Sequence, residues 1–127
     1  REDVSYLPWS PLAAGILSGK YQNGKAPKGS RGHVEESLGL TSGLWRIKNS
    51  QTLDAVDKYL DVAKKYELDP CQMALRFVDK QNFVTSTIIG ATTMEQLKID
   101  IDAFDIELSH DVMQDIDIVY RGYPIPF

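Results

Sequence analysis

The stretch FVTSTIIG, from Phe83 to Gly90, is the sequence feature that most constrains how this chain folds. It is rich in β-branched residues and carries no charged side chain. Such a run is typical of a parallel strand that is covered on both faces, because neither side is suited to contact with water. We therefore predict a buried strand that ends at Gly90, within an α/β fold.

A second, shorter strand is predicted close to the start of the sequence. Val4, Tyr6 and Leu7 precede Pro8, and this strand should stop at the proline, which cannot donate a backbone hydrogen bond to a sheet. Residues 10–44 then contain seven glycines and two prolines. They predict a long irregular loop, and loops of this length in compact domains are usually functional or mobile.

Capping residues and apolar periodicity predict four helices in the rest of the chain. The predicted starts are at Asn49 or Ser50, at Asp69 followed by Pro70, at Thr92 and at Ser109. The first of these helices should end near Tyr66. The predicted buried stripes are Leu53, Val56, Leu60 and Ala63; Met73, Ala74, Phe77 and Val78; Met94, Leu97, Ile101 and Phe104; and Val112, Met113, Ile116 and Val119.

Composition excludes several classes of protein and site. Of 127 residues, 43% are hydrophobic and 25% are charged, as in ordinary globular proteins, and no apolar run is long enough to span a membrane. The net charge of −4 argues against nucleic-acid binding. Cys71 is the only cysteine, so no internal disulfide can form, and we expect a reducing, cytoplasmic location. His33 and His110 have no partners at metal-site or triad spacing, so no metal site is predicted.

The stretch WSPLAAGILSGKY, residues 9–21, places an aromatic ring, small residues and a cation in one loop. This pattern suits a flat, phosphorylated ligand. Trp9 can stack on a ring, while Lys20 and the later Arg31 can hold phosphates. The alternatives are a tryptophan in the core and basic side chains that only contact solvent.

A second candidate site lies in IIGATTMEQLK, residues 88–98, where the predicted strand passes through Gly90 into a helix. The first backbone amides of a helix have no partner within it, and the helix dipole favours an anion there. Thr92 and Thr93 could add hydroxyl donors to a phosphate. The alternative is that Thr92 only caps the helix and Gly90 only forms a turn.

Taken together, these segments resemble the C-terminal part of an aldo-keto reductase, in the branch that includes Tas-like bacterial reductases and potassium-channel β-subunits. The stretches that carry the resemblance are LPWSPLAAGILSGKY, LDPCQMALRFV and TSTIIGATTMEQLKIDIDAFDIELSHD, in that order. The resemblance implies a TIM barrel with its site at the C-terminal ends of the strands.

On this resemblance the chain is an α/β, mostly helical C-terminal fragment of a (β/α)8 TIM barrel that carries strands 7 and 8 with their helices. The resemblance divides one partial domain into six segments. These are strand 7 and the cofactor loop (1–21), an irregular loop (22–48), two helices (49–82), strand 8 (83–90), two helices (91–120) and a tail (121–127).

The resemblance also implies a site for NADP(H). Trp9 matches the aromatic residue that stacks on the nicotinamide, and Lys20 and Arg31 match residues that meet phosphates, with Arg31 a candidate for the 2′-phosphate. Ser10 and Leu12 match residues that run along the pyrophosphate, and the residues that match the adenosine end are Gly90, Thr92 and Gln96. The sequence departs from the family pattern at Asp100, where an asparagine commonly faces the adenine, and an ionised aspartate side chain cannot donate a hydrogen bond.

Family catalysis uses an aspartate, a tyrosine, a lysine and a histidine on strands that precede the seventh, so no catalytic residue is predicted here. A barrel of this type needs about 250 residues. The first interpretation is a truncated reductase with a weak or vestigial NADP(H) site and no catalysis of its own. The second interpretation is part of an active reductase for aldehydes or ketones, either as a fragment of the full enzyme or as a chain that assembles with another chain supplying the missing strands. The third is a non-catalytic interaction protein. We expect self-association as a dimer through unpaired strand edges.

Overall fold

The computed structural model describes residues 4–40 and 49–124. Within these ranges the chain is mostly helical. A segment of 3-10 turns spans Ala13–Ser18 and is interrupted by a kink at Ala14 and Gly15, and a short 3-10 helix spans Ala103–Asp105. The α-helices are α1 (Arg31–Ser37), α2 (Ser50–Lys65), α3 (Pro70–Asp79), α4 (Met94–Asp102) and α5 (His110–Gly122).

The two segments that were predicted to be strands lie side by side in parallel, but they are joined only by isolated bridges. Isolated parallel bridges join Tyr6 to Val84 and Trp9 to Ile88. The backbone N–H of Thr85 donates to the Tyr6 carbonyl over 2.9 Å, and that of Ile88 donates to the Pro8 carbonyl over 2.9 Å. Within residues 4–40 and 49–124, however, these bridges do not extend into a continuous strand.

The prediction that residues 83–90 are buried on both faces is wrong. Phe83 is 60% exposed and Ile88 is 53% exposed. The Trp9 side chain, which belongs to the neighbouring segment, is 79% exposed. Apolar β-branched sequence indicates a segment suited to burial, whereas burial itself requires covering strands and helices. Among the described residues the paired segments lack that cover.

Three of the four predicted helix starts are confirmed, because each is fixed by a local side-chain cap. The Asn49 side chain accepts a hydrogen bond from the Gln51 amide over 2.9 Å, at the start of α2. Asp69 accepts from the amides at the start of α3, and Pro70 occupies the first turn of that helix. Ser109 caps α5 in the same way.

The core lies between α2, α3 and α5, with a smaller cluster under the loop that precedes α1. The predicted stripe on α5 is confirmed at its buried positions Val112, Ile116 and Val119. The stripe predicted on α4 is wrong, because Met94 and Ile101 are exposed. The most buried residue of α4 is instead an acidic one, Asp100, which is 5% exposed.

The predicted irregular loop at residues 22–48 contains a helix. Ser30 caps α1, since its side chain accepts a hydrogen bond from the His33 amide over 3.3 Å. The rest of that predicted loop, residues 41–48, lies outside the described residues, as do residues 1–3 and 125–127 of the predicted first segment and tail. Within the described ranges, the helices are too short or too polar to cross a membrane.

Candidate functional site

The candidate site lies where the two paired segments end. The bridge between Trp9 and Ile88 places the ends of both segments at the same edge. From these neighbouring positions the chain continues into Ser10 in one segment and towards Gly90 in the other. Ligands of α/β folds bind at the carboxyl ends of parallel strands. The structure therefore brings together the start of the Trp9–Tyr21 loop and the Gly90 turn, which are far apart in the sequence.

Trp9 is accessible to a ligand at this edge. Its side chain is 79% exposed, which excludes the alternative of a tryptophan in the core of the described structure. A large exposed aromatic ring beside a turn can stack on a flat heterocycle. The stacking of Trp9 on a nicotinamide ring stays a prediction.

The loop after Trp9 has an unusual backbone. Ser10, Ala13 and Ala14 have φ values of 57°, 49° and 60°, in the left-handed region that non-glycine residues avoid. Local hydrogen bonds hold this conformation, because the Ser10 carbonyl accepts from the Ala13 amide over 2.8 Å and the Ser10 Oγ accepts from the Ala14 amide over 3.1 Å. Strained residues of this kind cluster at functional sites. The Leu12 carbonyl accepts from the amide of Gly15 over 2.9 Å, which closes the next turn.

Lys20 lies over this turn rather than along an extended path into solvent. A β-carbon on Gly15 would lie 2.9 Å from the Lys20 Nζ, and Gly15 also has a φ of +89° that favours glycine. The ammonium lies 5.3 Å from the centre of the Tyr21 ring. Lys20 therefore places a positive charge beside the turn of residues 10–15, and its contact with a phosphate stays a prediction.

Arg31 lies on a separate element, at the start of α1. Its Nε donates to the Glu35 carboxylate over 2.7 Å. A hydrogen bond from the Gly32 amide to the Tyr21 hydroxyl, 3.3 Å long, ties this helix to the end of the Lys20 loop. Among the described residues, no hydrogen bond or ion pair joins Arg31 to Thr92, so convergence on one ligand stays a prediction.

At the Gly90 turn, the prediction that Thr92 caps the following helix is wrong. The capping residue of α4 is Thr93, whose Oγ1 accepts from the Gln96 amide over 3.2 Å. The Gln96 side chain folds back, and its Oε1 accepts from the amide and the hydroxyl of Thr92 over 3.0 and 2.9 Å. This turn lines an open depression of about 280 Å³ with Gly90 and Leu97. The lining of the depression includes Thr92 and Thr93.

Two ionisable groups on neighbouring helices, Cys71 on α3 and Asp100 on α4, interact electrostatically. Burial raises the pKa of the Asp100 carboxyl, and the negative charge of Asp69 raises it further. Burial is also the main reason that the pKa of Cys71 is raised to about 11, with smaller contributions from Asp69 and Asp100 and an opposing one from Lys20. Cys71 is therefore a thiol at neutral pH and not an activated nucleophile.

Sequence reasoning did not assign the structural roles of three residues that organise the site, although it named Thr93 as a possible phosphate donor. Glu35 was detectable from its spacing, because residues four apart on a helix are neighbours. Thr93 was detectable in the same way, since Gln96 follows it at capping-box spacing. Tyr21 was not detectable, because its partner Gly32 lies eleven residues away on another element.

Within the described ranges, no group of histidine, cysteine, aspartate and glutamate side chains could hold a metal ion. The predicted ligand groups of the site are instead an aromatic ring, hydroxyls, backbone amides and two cations. A set of this kind suits a flat ring joined to phosphates, and its binding of such a ligand stays a prediction.

Comparison with known proteins identifies the family of this chain. The model of the aldo/keto reductase family matches residues 1–121. The chain is 46% identical over 125 residues to "Protein tas" of Escherichia coli, which covers 98% of this chain and 34% of that protein. It is 32% identical to a putative voltage-gated potassium channel subunit beta of Schizosaccharomyces pombe, over 92% of this chain and 34% of that protein. It is 36% identical to L-glyceraldehyde 3-phosphate reductase of Escherichia coli, over 80% of this chain and 29% of that protein.

The match thus spans nearly all of the chain, whereas the chain spans about a third of the length of these relatives. Both segments of the candidate site fall within the matched residues. The chain belongs to the aldo/keto reductase family.

Proposed function

We propose that these 127 residues form the cofactor side of an NADP(H)-dependent carbonyl reductase site and bind NADP(H) weakly without reducing carbonyls themselves. Members of the family generally use NADP(H), and the family fold is a TIM barrel. A short, mostly helical chain with two parallel paired segments is consistent with part of such a barrel.

The observation that carries the proposal is the bridge between Trp9 and Ile88, which brings both cofactor segments to one edge. On one side of that edge are the exposed Trp9 ring and the strained turn that begins at Ser10. On the other side are Gly90 and the threonines before α4. Bound NADPH would supply a hydride, and the role of these residues is to orient the nicotinamide and hold the phosphates.

The absence of catalysis is proposed because, within residues 4–40 and 49–124, no hydrogen-bonded group of a tyrosine, a lysine and an acid lies at this edge. Tyr21 is fully buried and its hydroxyl accepts from the Gly32 amide, so it cannot reach a substrate as a proton donor. Lys65 and Tyr66 both bond to Asp115, at 2.6 and 2.9 Å, but this trio lies between the end of α2 and α5. Loss of a general acid alone costs about 10²–10⁴ in rate.

Binding is tested by titrating the 127-residue chain with NADPH and following tryptophan emission. We expect weak but saturable quenching, and Trp9→Phe should remove most of it while leaving the emission of the second tryptophan. Arg31→Ala should weaken binding of NADPH more than binding of NADH. A titration without saturable quenching up to millimolar NADPH would overturn the proposal.

Catalysis is tested with the same protein and a general aldehyde such as 4-nitrobenzaldehyde. We expect no aldehyde-dependent oxidation of NADPH. Turnover at the rate of ordinary reductases would show that a general acid is present after all, and would contradict the second half of the proposal.

A further inference from the structure

The ion pair between Arg31 and Glu35 differs from an ordinary surface pair. Arg31 is the first residue of α1 and Glu35 lies one turn later, with 2.7 Å between Nε and Oε1. The arginine side chain is 58% exposed, whereas the glutamate side chain is only 12% exposed. A fixed carboxylate therefore holds one edge of a guanidinium whose remaining groups are accessible.

A guanidinium has five N–H donors in a rigid fork, and the bond to Glu35 uses the Nε edge. The Nη groups keep donors suited to a second anion, and arginine binds phosphate through such paired donors. Holding one edge of the fork removes rotamer freedom from a long side chain before any ligand arrives, and that reduces the entropy lost on binding.

We infer that Glu35 is a positioning residue that presents Arg31 to the 2′-phosphate of NADPH and thereby favours NADPH over NADH. This inference rests on the proposed function, because it assigns a cofactor group to the same site. Glu35 does not touch the cofactor. It acts through the orientation of the arginine.

The test compares the dissociation constants of NADPH and NADH, by calorimetry, for the unmodified chain, Arg31→Ala, Glu35→Gln and the double variant. We expect Arg31→Ala to weaken NADPH about tenfold or more, since a bond between charged groups is lost. Glu35→Gln should weaken NADPH roughly threefold to tenfold, in the range of coupling between contacting residues. Neither change should alter NADH more than about twofold, and the double variant should bind NADPH no more weakly than Arg31→Ala alone.

Asp117→Asn is the matched control, because Asp117 pairs with Arg121 at the same spacing and the same 2.7 Å distance on α5. It should leave both dissociation constants unchanged. The ratio of the two constants also corrects for any loss of folded protein, because both cofactors require the folded chain. A variant with fewer folded molecules therefore still gives a usable result.

The outcomes separate the two claims. An unmodified chain that binds neither cofactor would refute the proposed function, and the inference with it. If the chain binds NADPH and Arg31→Ala loses the preference, but Glu35→Gln keeps or strengthens it, only the inference is overturned. A strengthened preference for NADPH in Glu35→Gln would mean that Glu35 competes with the phosphate for Arg31.

Discussion

Replacement of Tyr21 by phenylalanine tests how the loop that follows Trp9 is attached to α1. Tyr21 is fully buried, and its hydroxyl accepts a hydrogen bond from the Gly32 amide over 3.3 Å. That amide is among the first N–H groups of a helix, which have no partner within the helix itself. Ser30 caps the amide of His33, and Tyr21, which is distant in the sequence, caps the amide of Gly32.

The expected loss of stability follows from the contacts that phenylalanine keeps and the hydrogen bond that it loses. The ring remains packed against Ile16 and Val56, and Lys20 still lies over its face. The Gly32 amide loses its acceptor in a buried position, and an unsatisfied buried donor costs about 1–3 kcal/mol. Because the bond is long, we expect the lower half of that range, about 1–2 kcal/mol, and a fall in the thermal midpoint of roughly 4–8 °C.

Urea and thermal unfolding, followed by circular dichroism, measure this difference. Tyr120→Phe is the matched control, because the Tyr120 side chain is 57% exposed and loses the same hydroxyl. Its effect should stay within about 0.5 kcal/mol, as for ordinary surface substitutions. Equal stability of the two variants would refute the assignment of Tyr21 as a cap of α1.

Two further predictions concern charge and apolar surface. Because burial and Asp69 raise the pKa of Asp100, ionised Asp100 destabilises the native state, so Asp100→Asn should stabilise it at neutral pH. Denaturant titrations at a series of pH values should show that the stability gained by Asp100→Asn shrinks as the pH falls through the pKa of Asp100 in the folded state. The gain should vanish below the ordinary aspartate pKa of 3.8. A gain in stability that is equal at all pH values would contradict the explanation. We also expect the chain to self-associate as a dimer, since the paired segments expose Tyr6, Trp9 and Phe83 beside unpaired edges; light scattering on a gel-filtration column would contradict this by finding a 14.3 kDa monomer at micromolar concentration.

Elements fixed by neighbouring residues were predictable from the sequence. The starts of α2, α3 and α5 depend on one side chain and the amides two or three residues later. The parallel direction of the segment at residues 83–90 was also predictable, because its apolar pattern is typical of parallel sheets. The covering of those segments was not predictable, because it depends on other parts of a fold and not on their own composition.

The helix α1 was missed because the glycine content of residues 10–44 masked the local signal at Ser30. The orientation of α4 was missed for a different reason. The apolar residues of this helix are spread around it, so more than one face could be the buried one. In the structure Asp100 is buried, whereas Met94 and Ile101 are exposed. Periodicity alone gives no reason to bury the acidic residue of such a helix.

The strained backbone of the loop after Trp9 indicates that its shape is set before a ligand binds. Each non-glycine residue in the left-handed region costs about 1–2 kcal/mol, and Ser10, Ala13 and Ala14 all adopt it. This cost is offset by the burial of Ile16 and Tyr21 against α2, which leaves them 2% and 0% exposed. The packing of the loop against α2 thus holds in place Ser10 and Leu12, the residues that match the pyrophosphate segment. Because the ordering cost is met by folding, weak cofactor binding by these residues would reflect ligand contacts that they do not provide, and not disorder of the loop.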